Sequence, residues 1–219
     1  MTTNDIASAQ PETRDAAERR IRVWDPLVRI IHWGLVCAFA TAWFTAEDIQ
    51  PVHQLAGYAA AGLLALRMVW GLFGSRYARF AQFVRGPAQT LSYVGDMARG
   101  RERRYLGHNP AGAAMIVAIL ATLSGTVFTG WLLETPDRAA AAVGQVQIVA
   151  PAFADDDGYP ESRAAGPLKE VHELLANLML LLVAVHIGGV ALASFRHREN
   201  LVRAMVTGRK RPPAPGDIA

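Results

Sequence analysis

Four stretches of the chain, Ile30 to Ala46, Val52 to Phe73, Ala111 to Leu133 and Leu174 to Phe195, are almost free of formal charge, and Arg67 carries the single charge inside them. A helix needs about 20 mainly apolar residues to cross a hydrocarbon core about 30 Å thick, so each stretch predicts a membrane span. The first reaches that length if its helix begins at Asp25-Pro26, with Asp25 as N-cap, Pro26 at the first helical position and Arg29 reaching back to the headgroups. Pro51 opens the second span, and Asn109-Pro110 caps and opens the third in the same way. The pattern predicts an all-α integral membrane protein, a four-transmembrane-helix bundle.

Charge orients that bundle. Lys and Arg number five before the first span, seven between the second and third, and six after the fourth; the other two connections hold none and three. This positive-inside distribution predicts both termini and residues 74–110 on the cytoplasmic side, with the basic surplus against anionic headgroups. The multi-pass chain is expected in the bacterial inner membrane, and, lacking the apolar core of a signal peptide in residues 1–20, to be targeted by its first span. Residues 75–107 mix seven arginines with aromatics. Because membrane spans bracket them, they read as an amphipathic segment on the membrane surface and not as a nucleic-acid interface. Residues 1–20 and 206–219 read as disordered tails around a membrane domain of residues 21–205. The long connection 134–169 is expected to be periplasmic and reads either as a floppy connector or, as its length favours, as a lid or docking surface, with Asp155 to Asp157 available to a basic periplasmic cytochrome.

The histidines carry the chemistry. His172 and His186 lie fourteen residues apart on the fourth span. At about 100° and about 1.5 Å per residue they share a face and differ in height by about 21 Å. The alternating entry of the spans makes His32 low, His53 high, His172 high and His186 low. Two levels result, His53 with His172 toward the periplasm and His32 with His186 toward the cytoplasm. Titratable groups at membrane depth mark a site inside the bundle. Two facing imidazoles suit haem iron, which takes two axial nitrogens. Zinc wants four ligands, and neither level offers a carboxylate or thiolate.

The expectation is two haem b groups with bis-histidine ligation, and electron transfer as the chemistry, because six-coordinate iron leaves no open position for substrate. The single Cys37, expected to be buried in the first span, excludes a disulfide framework, and the absence of Cys-x-x-Cys-His excludes covalent c-type attachment. On the second span His53, Gly57, Ala60, Leu64 and Arg67 recur at helical spacing. Arg67 is read as the partner of a haem propionate or as snorkelling to headgroups, and Gly57 as relief for a macrocycle or as a packing glycine. The third span offers no ligand; its small face Ala114, Ala118, Ala121, Gly125 suits close approach. His108 reads as a loop or headgroup histidine and His197 as interfacial.

His32-Trp33, His53 with Gly57 and Arg67, Gly107-His108-Asn109-Pro110 and the His172 to His186 pair resemble the bacterial cytochrome b-561 family, which includes the di-haem cytochrome b subunits of nickel-iron hydrogenases. The resemblance covers about residues 20–210. It implies that His53 and His172 hold a periplasmic-side haem and His32 and His186 a cytoplasmic-side one. It also implies a role in a respiratory chain, passing electrons between the quinone pool and a periplasmic redox partner such as a hydrogenase or dehydrogenase subunit. The chain then reads as the electron-transfer subunit of an oxidoreductase more than as a self-sufficient enzyme. Two other readings stay open at this stage: a stand-alone superoxide:quinone oxidoreductase, and a histidine-lined metal-ion transporter, against which the missing membrane carboxylates weigh.

Overall fold

A computed structural model describes residues 20–135, 138 and 160–218, with side chains from 166 onward in the last stretch. The N-terminal tail, Asp155 to Asp157 and Glu134-to-Pro160 connection beyond these residues lie outside the described residues. The described elements run β1 (Ile21–Arg22), α1 (Pro26–Thr45), α2 (Gln50–Phe73), α3 (Phe80–Phe83), α4 (Pro87–Ala98), α5 (Pro110–Leu133), α6 (Pro160–Arg196), α7 (Leu201–Thr207) and β2 (Arg209–Lys210). Four helices, α1, α2, α5 and α6, are long and apolar enough to cross a membrane.

The helix starts follow from their caps. The Asp25 carboxylate accepts from the Val28 amide at 2.9 Å, and the Asn109 side chain accepts from the Gly112 amide at 2.7 Å, each satisfying an amide with no partner inside its helix. Helix α6 starts at Pro160, so residues 160–169, expected in the connection, are helical. Pro at the first helical position followed by Glu161 suits that start, and α6 continues through Pro167.

The chain divides into two compact units. One comprises Ile31–Met68 and Met115–Val185. Its core joins all four long helices: Leu64 of α2, Leu123 of α5 and Met179 of α6 are buried, with Leu35 and Phe39 of α1 against them. Along α2, Ala60, Leu64 and Arg67 are buried, as the sequence spacing predicts. On α5 the small face lets α6 approach at Gly125, where a Cβ would lie 3.1 Å from Leu175 Cδ1, while Ala114 and Ala121 are exposed. Thr122, Leu123 and Thr129 are buried, which the sequence does not mark because a helix apolar all round has no periodic stripe to read. Cys37, expected to be buried, is exposed on α1.

The other unit comprises Met1–Ile30, Val69–Ala114 and His186–Ala219. Val23, Trp24 and Ala204 form its core, and the His108 ring lies between Trp24 and Phe83, with ring centroids 4.6 and 4.5 Å away. His108 lies in the loop before α5, one of the two places expected for it, and there its imidazole packs among aromatic rings. The Asp25 carboxylate also accepts from Ser75 and from the Trp70 indole, tying the start of α1 to the end of α2. The C-terminal tail expected to be disordered is instead folded here from 206 to 218. Strand β2 pairs antiparallel with β1, Ile21 opposite Lys210, and Ile218 bonds both Arg104 and Leu106 through the backbone.

The turn that makes this return possible is Gly208, with φ of 77° as the C-cap of α7. A Cβ there would sit 2.5 Å from the Trp24 carbonyl oxygen, and a left-handed conformation costs an L-residue about 1–2 kcal/mol. Gly208→Ala is therefore expected to lower the thermal midpoint in detergent by at least about 3 °C. An unchanged midpoint would contradict this account of the turn.

Candidate functional site

His53 on α2 and His172 on α6 face each other, with ring centroids 6.2 Å apart and planes at 76°. Each ring is tethered by its Nδ1. His53 Nδ1 lies 2.8 Å from the Ala42 carbonyl oxygen on α1, and a carbonyl only accepts, so Nδ1 carries the proton and donates. His172 Nδ1 lies 2.9 Å from Thr129 Oγ1 on α5. That hydroxyl has one proton and reaches the Gly125 and Thr126 carbonyls at 2.9 and 3.0 Å. With its proton given to the backbone, Thr129 accepts from His172 Nδ1–H. Both histidines are thereby held in the tautomer that leaves Nε2 as an acceptor, the arrangement in which the outer partner of a metal-bound imidazole fixes ring and proton.

The spacing fits a shared metal. Two metal–nitrogen bonds of about 2 Å, plus about 1 Å from each nitrogen to its ring centre, sum to about 6 Å. The donor set is two neutral imidazoles, which would suit the iron of a haem. Among the described residues no group of three or more His, Cys, Asp or Glu side chains is placed to hold a metal ion.

The neighbours of the pair keep its space. A Cβ at Gly130 would come within 3.1 Å of His172 Cε1, so glycine there lets the ring lie against α5. A Cβ at Gly57, one turn along α2 from His53, would meet nothing within 4 Å; no neighbour requires a glycine for packing, and room remains beside the ring. Tyr58 donates to the Glu134 carboxylate, and Arg138 sits 3.1 Å from the same group and 4.7 Å over the Trp131 ring. These contacts fix the end of α5, and with it the level of Thr129, against α2.

Of the other predicted site residues, His32 and Arg67 belong to one unit and His186 to the other. His32 and His186 are half-buried, and Arg67 is buried at 8 % exposure. His186 and His172 share the face of α6 that buries Met179, seven residues from each. Thr129, Gly130 and the Ala42 carbonyl are the residues sequence reasoning missed. The family model described as prokaryotic cytochrome b561 matches residues 23–208. Comparison with curated proteins and with solved structures returned no match.

Proposed function

Because the chain belongs to the prokaryotic cytochrome b561 family and is a membrane b-type cytochrome of electron transfer, we propose that it carries two haem b groups and moves electrons between the quinone pool and a periplasmic redox partner. What supports this reading is the His53–His172 pair, with ring centroids 6.2 Å apart and both Nδ1 atoms tethered, so that both Nε2 atoms would be available to a common iron. A haem b bound there supplies a one-electron couple with no open position for substrate. The protein's part is to hold the imidazoles at fixed separation, so that little reorganises when the charge changes, and to exclude water with the apolar core of Leu64, Leu123 and Met179. The Ala42 carbonyl and the Thr129 hydroxyl, by accepting from Nδ1–H, make each imidazole a stronger donor at Nε2.

His32 and His186 are assigned to the second haem on the depth argument from the sequence. Fourteen residues of helix, about 21 Å, separate the two levels, which suits a relay across most of the membrane. Arg67, a buried cation in a span, is assigned to a propionate, the anionic group that a haem b would bring to that depth. Gly57 is assigned to the edge of the macrocycle beside His53, where its side is open. The partner is a periplasmic electron-transfer protein or a dehydrogenase or hydrogenase subunit, and the membrane is the bacterial inner membrane.

The test is spectroscopic. Purified protein is expected to contain two pyridine-extractable haems per chain, with a low-spin bis-histidine spectrum and two midpoint potentials. Quinol is expected to reduce them without a further subunit. Haem-free protein that transports metal ions would end this reading, and rapid reduction by superoxide with no partner would shift it to the stand-alone oxidoreductase.

A further inference from the structure

Arg20, Arg198, Arg203, Arg209 and Arg211 line, with Glu199 and Asn200, a cavity of about 180 Å³ in the unit that holds both ends of the described chain. Local structure explains the convergence. Strand alternation turns Lys210 inward, at 4 % exposure, and sends Arg209 and Arg211 outward together. Pairing of β1 with β2 brings Arg20 beside them. The chain leaves α6 through Arg198 in a left-handed conformation, φ 48°, and the Asn200 side chain then accepts from the Arg203 amide to open α7.

The charge is unbalanced. Glu199, the one carboxylate in the lining, is already committed: it accepts from Arg104 at 2.9 and 3.0 Å and from the Arg211 amide at 2.8 Å, and Lys210 Nζ is 3.6 Å away. Among the described residues no carboxylate pairs with any of the five guanidinium groups. Unit charges about 4 Å apart repel by about 1 kcal/mol even in bulk water, so gathering five favours an anion between them. Guanidinium forks match the oxygens of a phosphate group in pairs.

Size narrows the ligand. The cavity is below the roughly 300–1,000 Å³ of sites for drug-sized molecules, and holds about six times the roughly 30 Å³ share of one water. It suits one phosphate group with its adjoining ester carbons and is too small for a nucleotide. Arg198 stands two residues past the last residue of α6, and Arg20 six before the first of α1, so on the orientation expected from the charge distribution both would lie near the headgroups.

We propose that this pocket is a phosphate-group site, the phosphate being that of an anionic phospholipid headgroup at the cytoplasmic surface. The proposal goes beyond the haem reading and rests only on the membrane orientation drawn from the charge distribution. The test uses the full-length holoprotein in detergent. Native mass spectrometry and thermal unfolding are recorded with three probes: phosphatidylglycerol, phosphatidylcholine and inorganic phosphate. Haem absorbance read on the same samples separates loss of haem from loss of anion binding. Arg203→Gln with Arg209→Gln removes two lining charges whose side chains hold no other described residue; Arg79→Gln with Arg101→Gln is the charge-matched control away from the pocket.

Phosphatidylglycerol is expected to be retained over phosphatidylcholine, and the pocket variant to lose about tenfold in that retention while the control loses less than about twofold. Inorganic phosphate that protects as well as the lipid, with the same dependence on Arg203 and Arg209, would keep the phosphate site and move its source to a solute. Equal retention by wild type and pocket variant, or an equal loss in the control, would overturn the proposal.

Discussion

His172→Ala is expected to cut the haem content from two groups per chain to one. On the proposed assignment His53 would be left as the one histidine able to hold that haem, and the group lost would be the one expected on the periplasmic side. Pyridine haemochrome quantification against protein mass reads the stoichiometry, and a redox titration should lose one of two midpoints. Thr129→Val separates ligation from mere packing. It keeps the shape of the side chain and removes the acceptor on His172 Nδ1, together with the hydroxyl's own bond to the carbonyls of its helix. Loss of such an outer partner weakens metal affinity about 10–100-fold, so this variant should retain the cytoplasmic-side haem and shed the other on dilution. If His172 were only a satisfied core histidine, its removal would cost stability of about 1–3 kcal/mol and leave haem untouched. Full stoichiometry in purified His172→Ala would therefore end the assignment of this pair.

The pairing of His53 with His172 was legible before any coordinates because depth in a membrane is a one-dimensional quantity. Residue number along each span, with alternating direction, fixes height. Which face a residue occupies was legible on α2 and α6, where His53, Leu64 and Arg67, and His172, Met179 and His186, repeat at helical spacing. On α5 it was not, because every face is apolar and the period carries no information. Thr129 could have been found by height: with α2 and α5 running in opposite senses, Thr129, four residues from the end of α5, falls at the level of His53 and His172. The Ala42 carbonyl could not, since any backbone carbonyl looks the same in sequence.

The C-terminal segment escaped the reading for a different reason. Arg209-Lys210-Arg211 followed by two prolines has the composition of a tail, and a strand of two residues is too short to leave a period. What orders the segment is a set of ion pairs between residues far apart in sequence, which no local pattern reveals.

Arg104→Ala is expected to release that segment. Arg104 is 5 % exposed, and its guanidinium donates to Glu199, to Asp217 and to the Pro212 and Arg211 carbonyls. Removing one member of a buried ionic network strands the others, at a cost of about 3–5 kcal/mol. The backbone bonds from Ile218 N–H to Arg104 and from Leu106 N–H to Ile218 depend on the segment staying closed, so their hydrogen exchange should quicken by at least about a hundredfold.

The same network gives a pH signature with a definite sign. Burial alone would raise the Glu199 and Asp217 carboxyls. For Glu199 the hydrogen bonds from Arg104 and the Arg211 amide outweigh it, and for Asp217 those from the Ala214 amide and Arg104 do so, holding both below their ordinary values of 4.5 and 3.8. The opened state then binds more protons than the closed one, so closure gains stability as pH rises and holds it fully above about 4.5. As pH falls below that value, toward and through the lowered pKa values, the contribution is lost. Wild-type protection at Ile218 and Leu106 should be level above pH 5 and decline below about 4.5, whereas Arg104→Ala, already open, should show little of that decline. Equal acid sensitivity in both proteins would mean that Arg104 does not hold these carboxylates closed.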